Sequence, residues 1–193
     1  YHWAGRPWQT ADRVREILAT QYRAAPDGLS GNEDCGQMSA WYVLGALGLY
    51  PVDPVGGVWV IGSPLFEEAV IDLGAGRTFT VRAPGTSDER RYVRTARLDG
   101  RPLERSWLTH GEVVEGGVLE LEMTAEPGAA WGTAREHRPP SAFDEASPYP
   151  EPSAPTGPTG PAMDAPAARP PAGVPGQPAA GRPARDAASP ASH

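Results

Sequence analysis

The first hydrophobic pattern along the chain predicts an amphipathic helix over residues 11–23, beginning after Thr10, a preferred N-cap residue. Its apolar face repeats at three- and four-residue intervals, typical of a helix packed on one side: Val14, Ile17, Leu18 and Tyr22. The opposite face is predicted to be solvated and carries polar and charged residues: Arg13, Arg15, Glu16 and Gln21. The first helix is therefore expected on the outside of a packed layer.

A second helix is predicted over residues 36–47, and hydrophobic side chains occupy all of its faces. A helix without a polar face is expected to be buried on every side. Gly48 suits the position after the last helical residue, and Pro51 prevents the helix from continuing. An outer amphipathic helix followed by an inner buried one is typical of a helical barrel, which two helices cannot close by themselves.

Beyond residue 57 the pattern changes to short runs of alternating or β-branched residues, bounded by Gly, Pro or Asp. Asp99-Gly100 between two runs predicts a type I′ hairpin turn. The predicted strands are Val58–Gly62, Ala69–Leu73, Thr78–Ala83, Tyr92–Leu98, Trp107–His110 and Val118–Thr124. In the last of these, the side chains of Leu119, Leu121 and Met123 are expected to face inward and those of Glu120 and Glu122 outward. The expected fold class is α+β, with antiparallel strands after the helices.

Composition divides the chain further. Residues 134–193 are rich in Pro, Ala and Gly and are predicted to form a disordered tail, because they offer too few apolar groups to offset chain entropy. The predicted domains are thus 1–57, helical; 58–133, antiparallel β; and 134–193, tail.

A net charge of -7 without a Lys/Arg cluster argues against a nucleic-acid or anionic-membrane partner. The longest apolar run, residues 40–50, is too short to span a membrane.

Candidate chemistry centres on Glu33 and Asp34, two adjacent carboxylates just before the second predicted helix. A helix N-terminus stabilises negative charge, so Asp34 is expected to be ionised and able to accept a proton from water as a general base. Asp34 is equally suited to be the N-cap of the helix. Spacing alone does not decide between these two roles.

Other nucleophiles are weaker candidates. Cys35 lies near a helix start, where thiolates are stabilised, but neither His2 nor His110 is tied to it by a local pattern, so buried packing is the favoured role. Ser39 lacks the sequence of a nucleophile elbow and is expected to pack against a neighbouring helix. Trp3 and Trp8 are candidates for stacking on a sugar ring, although core packing is the commoner role of buried aromatic residues.

Three segments together carry a resemblance to a known family. They are GNEDCGQMSAWYV at residues 31–43, ALGLYPV at 46–52 and WVIGSPLF at 59–66. They resemble glycoside hydrolase family 92, and the similarity extends over about residues 1–131. The resemblance implies a secreted or periplasmic, calcium-dependent exo-α-mannosidase that inverts the anomeric centre. It also implies an N-terminal β-sandwich joined to an (α/α)6 barrel, of which this chain looks like the last barrel helices and the strands that follow.

The same resemblance implies roles for single residues. Asp34 matches the family's general base, and Asn32 stands where the family has a second acidic residue, so it is expected only to orient water or substrate hydroxyls. Glu33 is a weaker candidate for an acid. The family's general acid and most of its calcium and mannose ligands are expected outside this chain, which should then be inactive alone, and no metal ligand is assigned within it. The alternative is a non-catalytic carbohydrate-binding or interaction module with a Pro-rich spacer.

Overall fold

The computed structural model describes residues 1–141. Its first helix, α1, spans Pro7–Thr20 and follows a short 3-10 turn at His2–Ala4. The helix thus begins before Thr10, and the predicted N-cap is wrong. The reason is Pro7, whose fixed φ suits the first helical position and whose missing N–H costs nothing there. After Thr20 the chain turns back, so that Tyr22 forms an isolated antiparallel bridge with Leu29.

The buried face of α1 differs from the predicted one. It consists of residues at intervals of three and four: Pro7, Ala11, Arg15 and Leu18. Ile17, expected in the apolar face, is 38% exposed, and Arg15, expected in solvent, is buried. The guanidinium of Arg15 is accommodated because three oxygens accept its hydrogen bonds: the buried Ser63 hydroxyl and Pro64 carbonyl and the half-buried Thr86 hydroxyl.

The second helix, α2, spans Gln37–Leu47 and confirms the predicted position. It ends at Gly48, whose φ of 77° lies in the left-handed region that favours glycine. The expectation that α2 is buried on every side is wrong for this chain, because only Gly45 and Ala46 are buried. Val43 is 54% exposed, and several of its neighbours in the first two turns of the helix are also open to solvent.

Within residues 1–141, eight strands and a third helix, α3 at His110–Glu115, follow. The strands are β1 Leu49–Asp53, β2 Val58–Ile61, β3 Glu68–Gly74, β4 Arg77–Arg82, β5 Tyr92–Leu98, β6 Arg101–Pro102, β7 Trp107–Thr109 and β8 Gly117–Thr124. They form a three-stranded sheet in the order β1-β2-β7 and a five-stranded sheet in the order β3-β4-β8-β5-β6. The six predicted strands are therefore present, and the α+β class is confirmed.

One strand pair departs from the antiparallel expectation. β4 and β8 run parallel, with Phe79 opposite Gly117 and Arg82 opposite Glu120. Parallel neighbours need a long connection, and residues 83–116 supply one. The turn at Asp99-Gly100 agrees with the prediction, since both residues have the positive φ that a type I′ turn requires and β5 pairs with β6 across it.

The hydrophobic core lies in the β region and draws side chains from both sheets. Leu119, Leu121 and Met123 of β8 are buried in it, whereas Glu120 and Glu122 are exposed, as the alternation predicts. The three-stranded sheet contributes further members, among them Leu49, Ile61 and Leu108.

Residues after β8 contact both the start of the chain and the segment between β6 and β7. The indole Nε1 of Trp3 donates to the carbonyl of Pro140 at 3.0 Å, and the backbone N–H of Ser106 donates to the carbonyl of His137, also at 3.0 Å. The tail that was predicted from residue 134 therefore does not include residues 134–141, because these contacts hold them against the body. The rest of the predicted tail, residues 142–193, lies outside the described residues.

The β1–β2 hairpin crosses the predicted boundary between residues 57 and 58, because the two strands pair from Leu49 opposite Ile61 to Asp53 opposite Val58. Within residues 1–141, no helix is both long enough and apolar enough to cross a membrane.

Candidate active site

The loop before α2 has an unusual backbone. A 3-10 turn at Asp34–Gly36 leads into the helix, and Cys35 at its centre has a φ of 55°. Gly36, the residue just before the first helical one, has a φ of 79°. Left-handed conformations are strained for residues other than glycine, so the turn needs support from its neighbours.

Glu33 provides such support by capping α2. Both of its carboxylate oxygens accept from the backbone N–H of Ser39, at 3.2 Å each, and the Ser39 hydroxyl donates to one of them. The residue in the N-cap position is Gly36, which has no side chain with which to cap. The hydrogen bonds from Ser39 lower the pKa of Glu33, which makes it a poor general acid.

Asp34 is left free by this arrangement. Of the two roles left open for Asp34, the capping one is taken by Glu33, which accepts the N–H of Ser39 in the first turn. Asp34 is exposed, and its carboxylate makes no hydrogen bond or ion pair with any other described residue. Asn32 is likewise exposed. The two candidate site residues thus lie on one loop, with side chains accessible to a ligand from solvent.

An aromatic cluster joins the segment after α1 to α2. Tyr22 stacks on Trp41 of α2 with a centroid distance of 5.9 Å and contacts Tyr42 at 5.0 Å. The Tyr22 hydroxyl donates to the carbonyl of Met38 at 3.1 Å. Burial, with a further contribution from the negative charge of Glu33, raises the pKa of Tyr22. The cluster therefore connects the segment after α1 to the first turn of α2.

The two tryptophans proposed for sugar stacking lie in separate places. Trp3 is 39% exposed and borders an apolar cavity of about 260 Å³ together with Trp41 and Tyr50. Trp8 borders a much smaller cavity beside Tyr92. Both cavities are lined by other parts of the chain than the 31–36 loop, so the structure does not bring either tryptophan together with Asp34.

The structure does not support the alternative nucleophiles, Cys35 and Ser39. Cys35 is exposed, so the expected packing role is wrong. His2 is buried with its Nδ1 hydrogen-bonded to Ser106 Oγ at 3.0 Å, and His110 accepts a hydrogen bond from the Trp59 indole. Neither histidine bonds Cys35. Ser39 does not pack against a neighbouring helix but is exposed and donates to Glu33.

The role of Ser39 is what sequence reasoning missed at this site. An acidic residue shortly before a helix whose N-cap is glycine was the available signal. Such a helix has unpaired N–H groups and needs an acceptor from elsewhere.

Comparison with known proteins places the chain in a family. A model described as the glycosyl hydrolase family 92 catalytic domain matches residues 1–125. The chain belongs to glycoside hydrolase family 92. An uncharacterized secreted glycosidase from Arthroderma benhamiae is 35% identical over 144 residues, which are 73% of this chain and 18% of that protein.

Solved structures of two family 92 enzymes from Bacteroides thetaiotaomicron are also similar. An inverting mannosidase is 40% identical, with a TM-score of 0.67 over 72% of this chain, and an α-mannosidase is 34% identical, with a TM-score of 0.70 over 74% of it. In both cases the match covers 19% of the Bacteroides chain. This chain thus spans about a fifth of the length of these family 92 relatives.

The resemblance to family 92 also implies a calcium ion. Among residues 1–141, no three side chains of Asp, Glu, His or Cys come close enough together to hold a metal ion. Calcium prefers six to eight oxygen ligands. We therefore assign no calcium ligand within the described part of the chain and derive no chemical step through the ion.

Proposed function

We propose that this chain is the C-terminal portion of the catalytic domain of an inverting exo-α-mannosidase, and that Asp34 is the general base. The observation that carries the proposal is the contrast between two neighbouring carboxylates. Glu33 is committed to the N–H and hydroxyl of Ser39, whereas Asp34 is exposed and unengaged. A general base must have a free carboxylate oxygen within reach of the water that it deprotonates.

Inverting hydrolysis gives each group a distinct task. A water attacks the anomeric carbon while one of its protons passes to the Asp34 carboxylate. An acid on the opposite face of the sugar protonates the departing glycosidic oxygen, and the two carboxyl groups stand about 6.5–9.5 Å apart so that the water fits between them. Asn32, which cannot take a proton, orients the water or a sugar hydroxyl through its amide. The acid and the calcium site belong to parts of the family domain that this chain does not contain.

The exposure of α2 supports this placement. A hydrophobic helix such as α2 is stable in water only when other elements cover it, and further barrel helices would do so. In this arrangement α1 is an outer helix and α2 an inner one, with the 31–36 loop at the end of α2 that opens onto the site. The substrate class is a glycan with terminal α-mannosides, and the compartment is extracellular or periplasmic.

The test uses the complete enzyme that contains this chain. Asp34→Asn should lower kcat at least 10²-fold, the usual contribution of a general base, while the melting temperature stays near that of the parent. Asn32→Ala should lower kcat less, since it removes orientation only. Asp72→Asn is the control, because this exposed carboxylate accepts only the N–H of Gly74 in a turn of the β region. Retained turnover in Asp34→Asn would contradict the proposal.

A second experiment addresses the isolated 193-residue chain. It should release no mannose from an α-mannoside, with or without calcium, because it lacks the acid. Calcium-dependent release would contradict the proposed division of the site. Calcium-independent sugar binding without hydrolysis would support the alternative, a non-catalytic carbohydrate-binding module.

A further inference from the structure

We infer that Glu33 is the positioning residue of the candidate base, because its carboxylate ties the loop that carries Asp34 to the first turn of α2. The inference rests on the proposed function of Asp34 and deepens it. Glu33 itself is assigned no proton transfer.

The first step is the bond pattern between Glu33 and the helix. Three donor contacts reach its carboxylate from Ser39: the backbone N–H approaches both oxygens at 3.2 Å, and the hydroxyl donates to one of them. A carboxylate held by two donors on one residue has little freedom to rotate. These bonds close a ring through the chain from residue 33 to residue 39, and Asp34 is the second residue of that ring.

The second step is the conformation of the chain inside the ring. Cys35 and Gly36 both have left-handed backbones, with φ of 55° and 79°. A non-glycine residue persists in that region only when its surroundings hold it there. Inside the turn the backbone N–H of Gln37 donates to the carbonyl of Asp34, and the Glu33–Ser39 bonds span the whole turn from residue 33 to residue 39, so they oppose its relaxation toward an ordinary helical entry.

The third step is the consequence for Asp34. Its carboxylate has no hydrogen-bond partner among the described residues, so its direction depends on the backbone that carries it. A base displaced by about 1 Å from its water can lose about 10²-fold in rate. The fixed backbone at residues 33–36 therefore sets the direction of the Asp34 side chain and leaves both of its oxygens free for water and substrate.

The electrostatic surroundings agree with this role. The charge of Glu33 is sensed by Tyr22, whose hydroxyl bonds the carbonyl of Met38 in the same helical turn. The anionic form of Glu33 is the one stabilised by the Ser39 donors. Glu33 is thus held as a charged acceptor beside the site, which suits positioning.

The experiment compares variants of the complete enzyme. Glu33→Ala opens the ring and should lower kcat about 10²-fold, with KM changed less than about twofold. Glu33→Gln keeps the size and one acceptor oxygen, so it should recover most of this loss and retain the acid limb of the pH–rate profile of the parent. Ser39→Ala removes only the hydroxyl donor and should lower kcat a few-fold; it is the second variant in case Glu33→Ala does not fold.

The matched control is Glu112, which caps α3 through Thr109 and lies on a helix that packs on β4 and β7. Glu112→Ala should lower the melting temperature as Glu33→Ala does but leave kcat unchanged. The inference is overturned if Glu33→Ala retains kcat once corrected for the folded fraction, or if Glu33→Gln is as inactive as Asp34→Asn and loses the acid limb. Loss of activity in Glu33→Ala together with full activity in Asp34→Asn would instead overturn the proposed function.

Discussion

Arg15 of α1 donates through Nε to the hydroxyl of Ser63 at 2.9 Å, and both side chains are buried. The guanidinium also donates to the carbonyl of Pro64 and to the hydroxyl of Thr86. Only 7% of Arg15 is exposed, and its carboxylate partner Asp88, at 3.5 Å, lies in solvent. Arg15 therefore fastens α1 to the segments on either side of β3 and β4 mainly through neutral oxygens.

Replacing this arginine should destabilise the fold. Arg15→Leu would leave the Ser63 hydroxyl buried without its donor, and the expected loss is about 1–3 kcal/mol in the free energy of unfolding. Arg15→Lys keeps the charge but cannot make the forked set of bonds, so its loss should be intermediate or similar. Urea unfolding of the three proteins measures the difference. Arg13→Leu is the control, since the Arg13–Glu16 pair lies on the surface and should contribute little. Equal stability of the Arg15 and Arg13 variants would contradict the assignment.

Arg15 also shows where sequence reasoning stops. Its charge predicts a solvated position, and its burial depends on Ser63 and Thr86, which are 48 and 71 residues away along the chain. Local periodicity carries no information on partners that arrive from so far. The same holds for β8, whose pattern predicts its inward face, although its parallel pairing with β4 depends on a chain path that the pattern does not contain.

Local signals were sufficient where the deciding interactions are local. The turn at Asp99-Gly100 follows from the backbone conformations that these two residue types tolerate. β1 is not among the predicted strands; it contains Pro51, which it tolerates because it is an edge strand of its sheet. The helix α3 was missed although Thr109 and Glu112 form a capping box that the sequence displays. At the candidate site, motif similarity predicts Asp34 as the base, whereas the bond from Ser39 to Glu33 depends on how the chain folds back over six residues.

A pH dependence of stability follows from His2. It is 2% exposed, and burial, with a smaller effect of the charged N-terminus, lowers its pKa from 6.5 to about 3. Between these two values the unfolded chain binds a proton that the folded chain does not. The contribution of His2 to stability is therefore complete above pH 6.5 and is lost progressively as the pH falls toward 3.

The comparison that isolates this effect is with His2→Asn, whose amide can still bond Ser106. Between pH 7 and pH 5 the parent chain should lose about 2 kcal/mol more than the variant in the free energy of unfolding. Urea titrations at the two pH values measure the loss, and the difference between the proteins removes the contribution of carboxyl groups common to both. The same pH dependence in parent and variant would contradict this, because it would mean that His2 has the same pKa in the folded and the unfolded chain.

The exposed face of α2 allows a test of whether further barrel helices cover it in the complete enzyme. Val43 is 54% exposed at the centre of this face, and Val55, in the turn between β1 and β2, is 89% exposed. In the isolated chain, Val43→Lys should raise solubility and leave the melting temperature nearly unchanged, because it replaces an apolar group that faces water.

In the complete enzyme the same substitution should have the opposite effect. If barrel helices cover α2, the lysine is buried without a partner, and the cost should be several kcal/mol, about 3 or more, with loss of folded protein and of activity. Val55→Lys is the matched control and should be neutral in both proteins. Differential scanning calorimetry of the four variants gives the result. A Val43→Lys enzyme as stable as its Val55→Lys counterpart would mean that α2 is not an inner helix, and the placement of Asp34 at the mouth of a barrel would then have to be abandoned.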